Sequence, residues 1–347
     1  MSTDSQFTEV AAFFTLASVP GEAVPGIAAP DRYACAVMKQ RTVGRSGLRV
    51  SRIGLGTLTW GRETEGDDAA AQLSAFVDAG GTLVDTSPAY GGGTSQRILA
   101  ELLGDVVPRD LLVLTGSAGV FPTAGAPDRV DCSRRSLLRQ LDDSLAELGT
   151  DHLDIWRVGV WDPTTPSHEV AAALDFAITS GKARYVGASG HAGWQLATIA
   201  GAVGHGLIAT QAAYSLVERG AEAELLPAAQ HHGVGFFAAS PLAGGILTGK
   251  YRNSVPNDSR GADDLRGADV EELLTEHAAS VNQAVATAAD GLATSPLAVA
   301  LAWVRDRPGV SSTLVGARDL AQLTGVLAAE ELELPRSIAA ALDDVSA

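Results

Sequence analysis

At 347 residues, with 46% hydrophobic residues and a formal net charge of −16, the chain can build a large core but lacks a broad basic face for nucleic acid or an anionic membrane. No apolar run reaches the length of a membrane span, and the size suits one large barrel or two smaller domains. The two cysteines, Cys35 and Cys132, are too few for a disulfide framework or a cysteine-based zinc site, and fit a reducing cytoplasm.

Residues 1–37 read as a loosely ordered extension. Their apolar patch at Val10–Val19 is short and follows Asp4 and Glu9 rather than basic residues, so it makes a poor secretion signal. Residues 38–347 read as a single domain. Arg41–Ser51 alternates around glycines and predicts a small hairpin. Short apolar strands then alternate with amphipathic helices. The expected strands are Ile53–Gly56, Thr82–Asp85, Leu111–Thr115, Leu153–Val158, Arg184–Gly187, Ile208–Gln211, Val234–Ala238 and Thr313–Val315. Helices are expected between them, such as Ser133–Leu148, with leucines at 137, 138, 141, 145 and 148, and Ser167–Ser180. This order predicts an α/β protein built as a (β/α)₈ barrel. An open doubly wound sheet is set aside because the turn Gly54–Gly61 has no Gly-x-Gly-x-x-Gly fingerprint. Pro256–Val270, rich in Asp, Gly and Arg, reads either as a mobile loop over the barrel mouth or as a solvated linker.

Chemistry concentrates around Gly80–Gly93. A helix ends on Gly80-Gly81, a buried strand follows, Asp85 sits at its tip, and Gly91–Gly93 let the chain turn back with Tyr90 over that tip. A carboxylate and a phenol at the mouth of a parallel strand suit catalysis. The pair alone reads equally well as a loop-capping Asp with a Tyr packed on it. The seven histidines offer no metal-ligand spacing beyond adjacent His231-His232, so no metal is expected.

The spacing Asp85-Thr-x-x-x-Tyr90-Gly, preceded by Gly-Gly and a short strand, resembles the aldo-keto reductases, including the potassium-channel-beta-like and bacterial branch. Leu148–Ile155, Gly181–Ser189, Gln211 with Tyr214, Ser240–Lys250, and Gly316-Ala317-Arg318 with Gln322 resemble further segments of that family, over roughly residues 41–329. The resemblance implies a hairpin closing the barrel bottom, reduction of small carbonyl compounds with NADP(H), and Asp85 and Tyr90 as two members of a catalytic tetrad. It also implies cofactor contacts from Ser189, Gln211, Ser240, Leu242, Gly244, Lys250, Gly316, Arg318 and Gln322. Lys250 and Arg318 would bind pyrophosphate or a 2′-phosphate.

The departures lie at the reactive end. Thr115-Gly116 stands where the family carries its tetrad Lys, and Gly159 where it carries His. Gly190 replaces an Asn that holds the nicotinamide carboxamide, and Ala239 replaces the aromatic that stacks on the ring. Farther out, Gly325-Val326 replaces an adenine-contacting Glu-Asn. The expectation is a reductase that is weakly active or inactive, with cofactor binding weakened or lost. Two alternatives stay open: a ligand-binding pseudo-reductase with a regulatory role, and a lyase or isomerase using the emptied mouth. A stranded Asp85 needs a new cation. Arg157, two residues before Gly159 and so on the same strand face, is the candidate. His191 is a candidate replacement proton donor, or a plain loop histidine. Oligomeric state is not legible.

Overall fold

The computed structural model describes residues 38–122, 128–252, 254–257, 259–263 and 267–347; the expectation for residues 1–37 lies outside the described residues. Strands β1 (Ile53–Gly56), β2 (Leu83–Asp85), β3 (Val113–Ala118), β4 (Leu153–Val158), β5 (Ala183–Ser189), β6 (Ala209–Ala213), β7 (Gly235–Ala239) and β8 (Val310–Val315) close into a barrel. Every neighbouring pair is parallel, including β8 on β1. The chain is a (β/α)₈ barrel.

The hairpin Gln40–Thr42 with Arg49–Ser51 precedes the barrel and plugs its N-terminal end. Val43 and Val50 pack there with Leu83, Ile155, Ala209, Phe237 and Leu314, the apolar contents of the barrel. A second, larger core lies between the strands and the surrounding helices. Helix α1 (Arg134–Leu148) illustrates how the sequence builds this layer. The Ser133 hydroxyl accepts from the Ser136 N–H at its start, and Gly149 ends it at φ 62°. Leu137, Leu141, Leu145 and Leu148 are buried on one face, each worth about 1.5–3 kcal/mol.

Two strands differ from expectation by three residues at one end, and four others by one or two. β3 runs Val113–Ala118 rather than Leu111–Thr115, because Arg109–Leu111 forms a 3₁₀ turn and Leu111 is exposed. The strand instead continues through Thr115-Gly116-Ser117, held by β2 and β4 on its two sides. β8 starts early, at Val310, because its buried serines find partners in the hairpin: Ser311 Oγ donates to Thr42 O at 3.1 Å and Ser312 Oγ to Ser51 O at 2.8 Å. Among the described residues, no single helix is long and apolar enough to cross a membrane.

The loop after β4 is pinned by Asp162, which accepts from the N–H of Cys132 (3.0 Å) and Thr164 (2.9 Å) and the hydroxyls of Thr164 (2.6 Å) and Thr165 (2.7 Å). Burial pushes this carboxyl up, but Thr164, the Cys132 amide and Thr165 outweigh it and bring it down to about 2. Asp162→Ala is expected to cost about 1.5–3 kcal/mol in denaturant unfolding. A depressed native pKa stabilises above the unfolded value, so this contribution is full above about pH 4 and is lost as the pH falls through about 2. An unfolding midpoint unchanged by the substitution at pH 7 would contradict it.

Candidate active site

Strand register places the site residues in layers. Asp85 lies opposite Thr115, and Thr115 opposite Ile155; two residues on is Arg157. Arg157 lies opposite Gly187, which lies opposite Ala209; two on is Gln211. Gln211 lies opposite Phe237, which lies opposite Ser312; two on is Leu314. Asp85, Arg157, Gln211 and Leu314 thus form one layer of four inward side chains from alternate strands, as barrel geometry requires. This layer is the floor of the mouth. Above it the odd strands contribute only small residues: Gly56, Ser117, Ser189 and Ala239.

The floor is held by charge. The Arg157 guanidinium donates through Nη2 to Asp85 Oδ1 in a short contact, and through Nη1 to Ser189 Oγ at 2.9 Å. Both charged side chains are almost wholly buried, 2% and 3% exposed. Gly187 makes this possible: a Cβ there would come 3.0 Å from Arg157 Cγ and 2.4 Å from Ala209 O. Tyr90 Oη donates to the other carboxylate oxygen, Asp85 Oδ2, at 3.1 Å. Burial holds the Asp85 carboxyl above the ordinary carboxylate range, and the opposing pull of Arg157 first, then Tyr90 and Gln211, offsets only part of it. Gln211 Oε1 is buried without a partner among the described residues.

Tyr90 opens a tight turn in which Gly91, Gly92 and Gly93 take φ of 58°, 62° and 91°, conformations that favour glycine. Ser87, at the start of this turn, accepts the Tyr90 N–H on its carbonyl at 3.0 Å. Its hydroxyl meets the Ser117 hydroxyl at 3.1 Å. Gly116 does not face the mouth: a Cβ there would strike Leu153 Cδ1 at 2.8 Å, in the outer core. The inward residue beside Asp85 and Arg157 is Ser117, so the room for the guanidinium lies against Ser117, not Gly116. Gly159 does face inward; its Cβ would lie 3.6 Å from Ser117 Oγ.

A cleft of about 920 Å³ runs outward from this floor. Asp85, Tyr90, Gln211, Ser240, Leu242, Gly244, Lys250, Gly316, Arg318 and Gln322 all line it, as does Ala239. Lys250 lies so close over Gly245 that a Cβ there would sit 2.6 Å from its Nζ. Ser240 and Ala243 hold φ of 51° and 48°, strained values for non-glycine residues. Gln322 Oε1 accepts the Arg318 N–H at 3.1 Å. Three expected site residues do not line the cleft. Arg157 lies beneath it, the Ser189 hydroxyl oxygen is taken by Arg157, and His191 points away. Gly190, at φ 62°, turns the chain after β5. His191 is then buried edge-on to Trp161 at 5.7 Å, with Nδ1 2.6 Å from Ser189 O. A carbonyl only accepts, so Nδ1 carries the hydrogen, and burial lowers the ring's pKa. Tyr214 also turns away, donating to Glu222 at 2.6 Å behind the barrel wall.

The segment Pro256–Asp263 borders the cleft, and Asp263 pairs with Arg62 of the loop after β1 at 3.4 Å. The described residues Pro256, Asn257, Ser259, Arg260, Ala262 and Asp263 therefore lie at the mouth. Sequence reasoning missed Ser87, Ser117, Arg62 and Asp263. Stepping by two from Asp85 would have found Ser87.

The Aldo/keto reductase family description matches residues 52–347. The chain belongs to the aldo-keto reductase family. Relatives of this aldo-keto reductase include the uncharacterized oxidoreductase YrpG of Bacillus subtilis, 33% identical over 89% of this chain and 96% of that protein. L-glyceraldehyde 3-phosphate reductase of Escherichia coli is 33% identical over 86% of this chain and 88% of that one. A probable voltage-gated potassium channel subunit beta of Oryza sativa is 33% identical over 81% of this chain and 87% of that one. Family membership and these oxidoreductase relatives support a carbonyl-reductase-like function.

Proposed function

We propose that this aldo-keto reductase uses NADP(H) and reduces small carbonyl compounds slowly, with Tyr90 as proton donor over an Asp85–Arg157 pair. The observation that carries the reading is the phenol bonded to a carboxylate that is itself paired with a buried guanidinium. NADPH, when bound, supplies the hydride. Gln211 Oε1, buried and unpartnered, fits an amide N–H at the reactive end. Lys250 and Arg318 on the cleft fit its phosphates. The fit is poorer where Ala239 offers no ring for stacking and Gly190 no amide.

The one Tyr90 O–H, donated to Asp85 Oδ2 in the free site, turns to the carbonyl oxygen and is delivered there as the C–H bond forms. Asp85 holds the phenol in place before that step, and Arg157 fixes the Asp85 carboxyl and opposes the upward push of burial on its pKa. Gly159 provides no imidazole to polarise the carbonyl, and Ser117 provides no ammonium. Loss of one donor at a developing oxyanion costs about 10²–10³ in rate, hence the slow turnover. The small-carbonyl assignment draws support from the relative named for glyceraldehyde 3-phosphate reduction. A second reading, binding without turnover in a regulatory role, is favoured by the same missing donors and by similarity to a channel-subunit protein.

NADPH is expected to change fluorescence on titration with the purified protein. A reactive aromatic aldehyde is expected to oxidise it slowly, and Tyr90→Phe to remove that turnover. Binding without turnover would select the regulatory reading. No binding would sink both and leave a non-redox use of the mouth.

A further inference from the structure

A second groove, of about 790 Å³, opens at the hairpin end of the barrel, away from the mouth. Its walls come from the hairpin, from the end of the helix Leu225–His232 with the chain leading into β7, and from residues 307–311 at the start of β8. Arg41, Arg45, Arg49 and Arg307 line it against one carboxylate, Glu222, in a chain whose net charge is −16. The acidic groups around the groove are already neutralised. Glu222 pairs with Arg219 at 2.7 Å and Arg307 at 3.8 Å, Asp343 with Arg307 at 2.9 Å, and Asp306 with Arg41 at 2.9 Å. Arg45 and Arg49 are the exception. The Arg45 guanidinium has no hydrogen-bond or ion-pair partner among the described residues, and Arg49 makes one bond, from Nη2 to Gln40 O at 3.3 Å. Arg45 is nonetheless held in place. Its N–H donates to Gly233 O at 2.8 Å, and its stem lies on Gly233, where a Cβ would come 2.5 Å from Cδ. Gly233, at φ 72°, ends the helix whose terminal carbonyls attract a cation.

We propose that this groove binds an organic phosphate monoester, with Arg45 and Arg49 on the phosphate and the organic body against Leu226, Val234 and Val310. Two guanidinium groups without a counter-charge match the charge of about −1.5 to −2 that a phosphate monoester carries at pH 7. Each fork can also donate two N–H groups to its oxygens. A carboxylate or a sulfate ester, with a single charge, leaves one guanidinium unmatched. The groove is larger than a phosphate alone needs and falls within the roughly 300–1,000 Å³ of small-molecule sites, so its apolar wall is available to the rest of the ligand. The site is separate from the cleft at the mouth and does not depend on whether that cleft reduces carbonyls.

The test titrates the full chain with 1-naphthyl phosphate, whose own fluorescence reports binding, and with 1-naphthyl sulfate, the same body carrying one charge fewer. The wild type is expected to bind the phosphate about tenfold more tightly than the sulfate. Arg45→Gln and Arg49→Gln should each weaken phosphate binding about tenfold. Both side chains are exposed, so melting temperatures should stay close to that of the wild type. Arg318→Gln, in the cleft at the mouth, separates the two places where a phosphate could sit. Binding that survives in Arg318→Gln and weakens in the two hairpin variants supports the groove. Binding that is lost in Arg318→Gln and kept in both hairpin variants places the phosphate at the mouth and overturns the proposal. So would equal affinity of the wild type for the two esters, or no binding of the phosphate.

Discussion

Arg157→Met is expected to lower stability by about 3–5 kcal/mol in denaturant unfolding, because it strands the buried Asp85 carboxylate without its counter-charge. Tyr90 and Gln211 still bond to Asp85, but neither carries a charge. The loss should depend on pH in a defined direction. Burial already raises the Asp85 pKa above its unfolded value and removing the guanidinium raises it further; such a group stabilises below the unfolded pKa and ceases to as the pH rises through the folded one. The gap between wild type and variant should therefore widen as the pH rises above the ordinary carboxylate range. Arg157→Met combined with Asp85→Leu removes both charges and should recover much of the loss, since apolar replacement of a whole buried pair is often near neutral. Arg157→Lys is not a conservative alternative: an ammonium cannot span Asp85 and Ser189 as the planar fork does. A single variant as stable as wild type at pH 8 would mean that Asp85 is solvated or neutral in the native state.

How far the sequence could be read follows from which signals are local. β4 is legible to the residue, Leu153–Val158, because its apolar run is bounded by a helix-ending Gly149 and the Gly159 exit. The step of two from Gly159 back to Arg157 gives the inward face and hence a partner for Asp85, and the guanidinium is found there. The same rule applied to β3 would have given Ser117, but aligning on the threonine of the family motif selects Gly116, which faces the outer core. A one-residue slip in a strand exchanges inside for outside. His191 misleads in another way. It follows Ser189 closely in sequence, yet the left-handed turn at Gly190 sends it against Trp161, and no pattern in the flanking residues fixes that turn. The Arg62–Asp263 pair joins residues 201 positions apart, a separation at which composition carries no information about contact.

Gly159→His is expected to raise turnover of a reactive aromatic aldehyde about 10²-fold, or to produce it where the wild type gives none, because it supplies a donor aimed at the carbonyl oxygen. The backbone permits the change: Gly159 is absent from the positive-φ glycines, and its N–H to Ala118 O bond of 2.7 Å is unaffected by a side chain. The new Cβ would meet Ala118 O at 3.1 Å and Ser117 Cβ at 3.5 Å, so the β3–β4 seam must give by a few tenths of an ångström. That adjustment should cost a little stability while the imidazole enters the space over Ser117. The gain must vanish when Tyr90→Phe is added, since the imidazole polarises the oxygen but the phenol protonates it. Gly116→Lys serves as the contrasting control: its side chain drives into Leu153 and should destabilise the barrel without raising the rate, whereas Ser117→Lys points its ammonium towards Asp85. If the Gly159→His protein is folded, binds NADPH and is no faster than wild type, then a donor at position 159 is not what limits the proposed turnover, and the methyl side chain of Ala239, which offers no ring to stack on, becomes the stronger explanation.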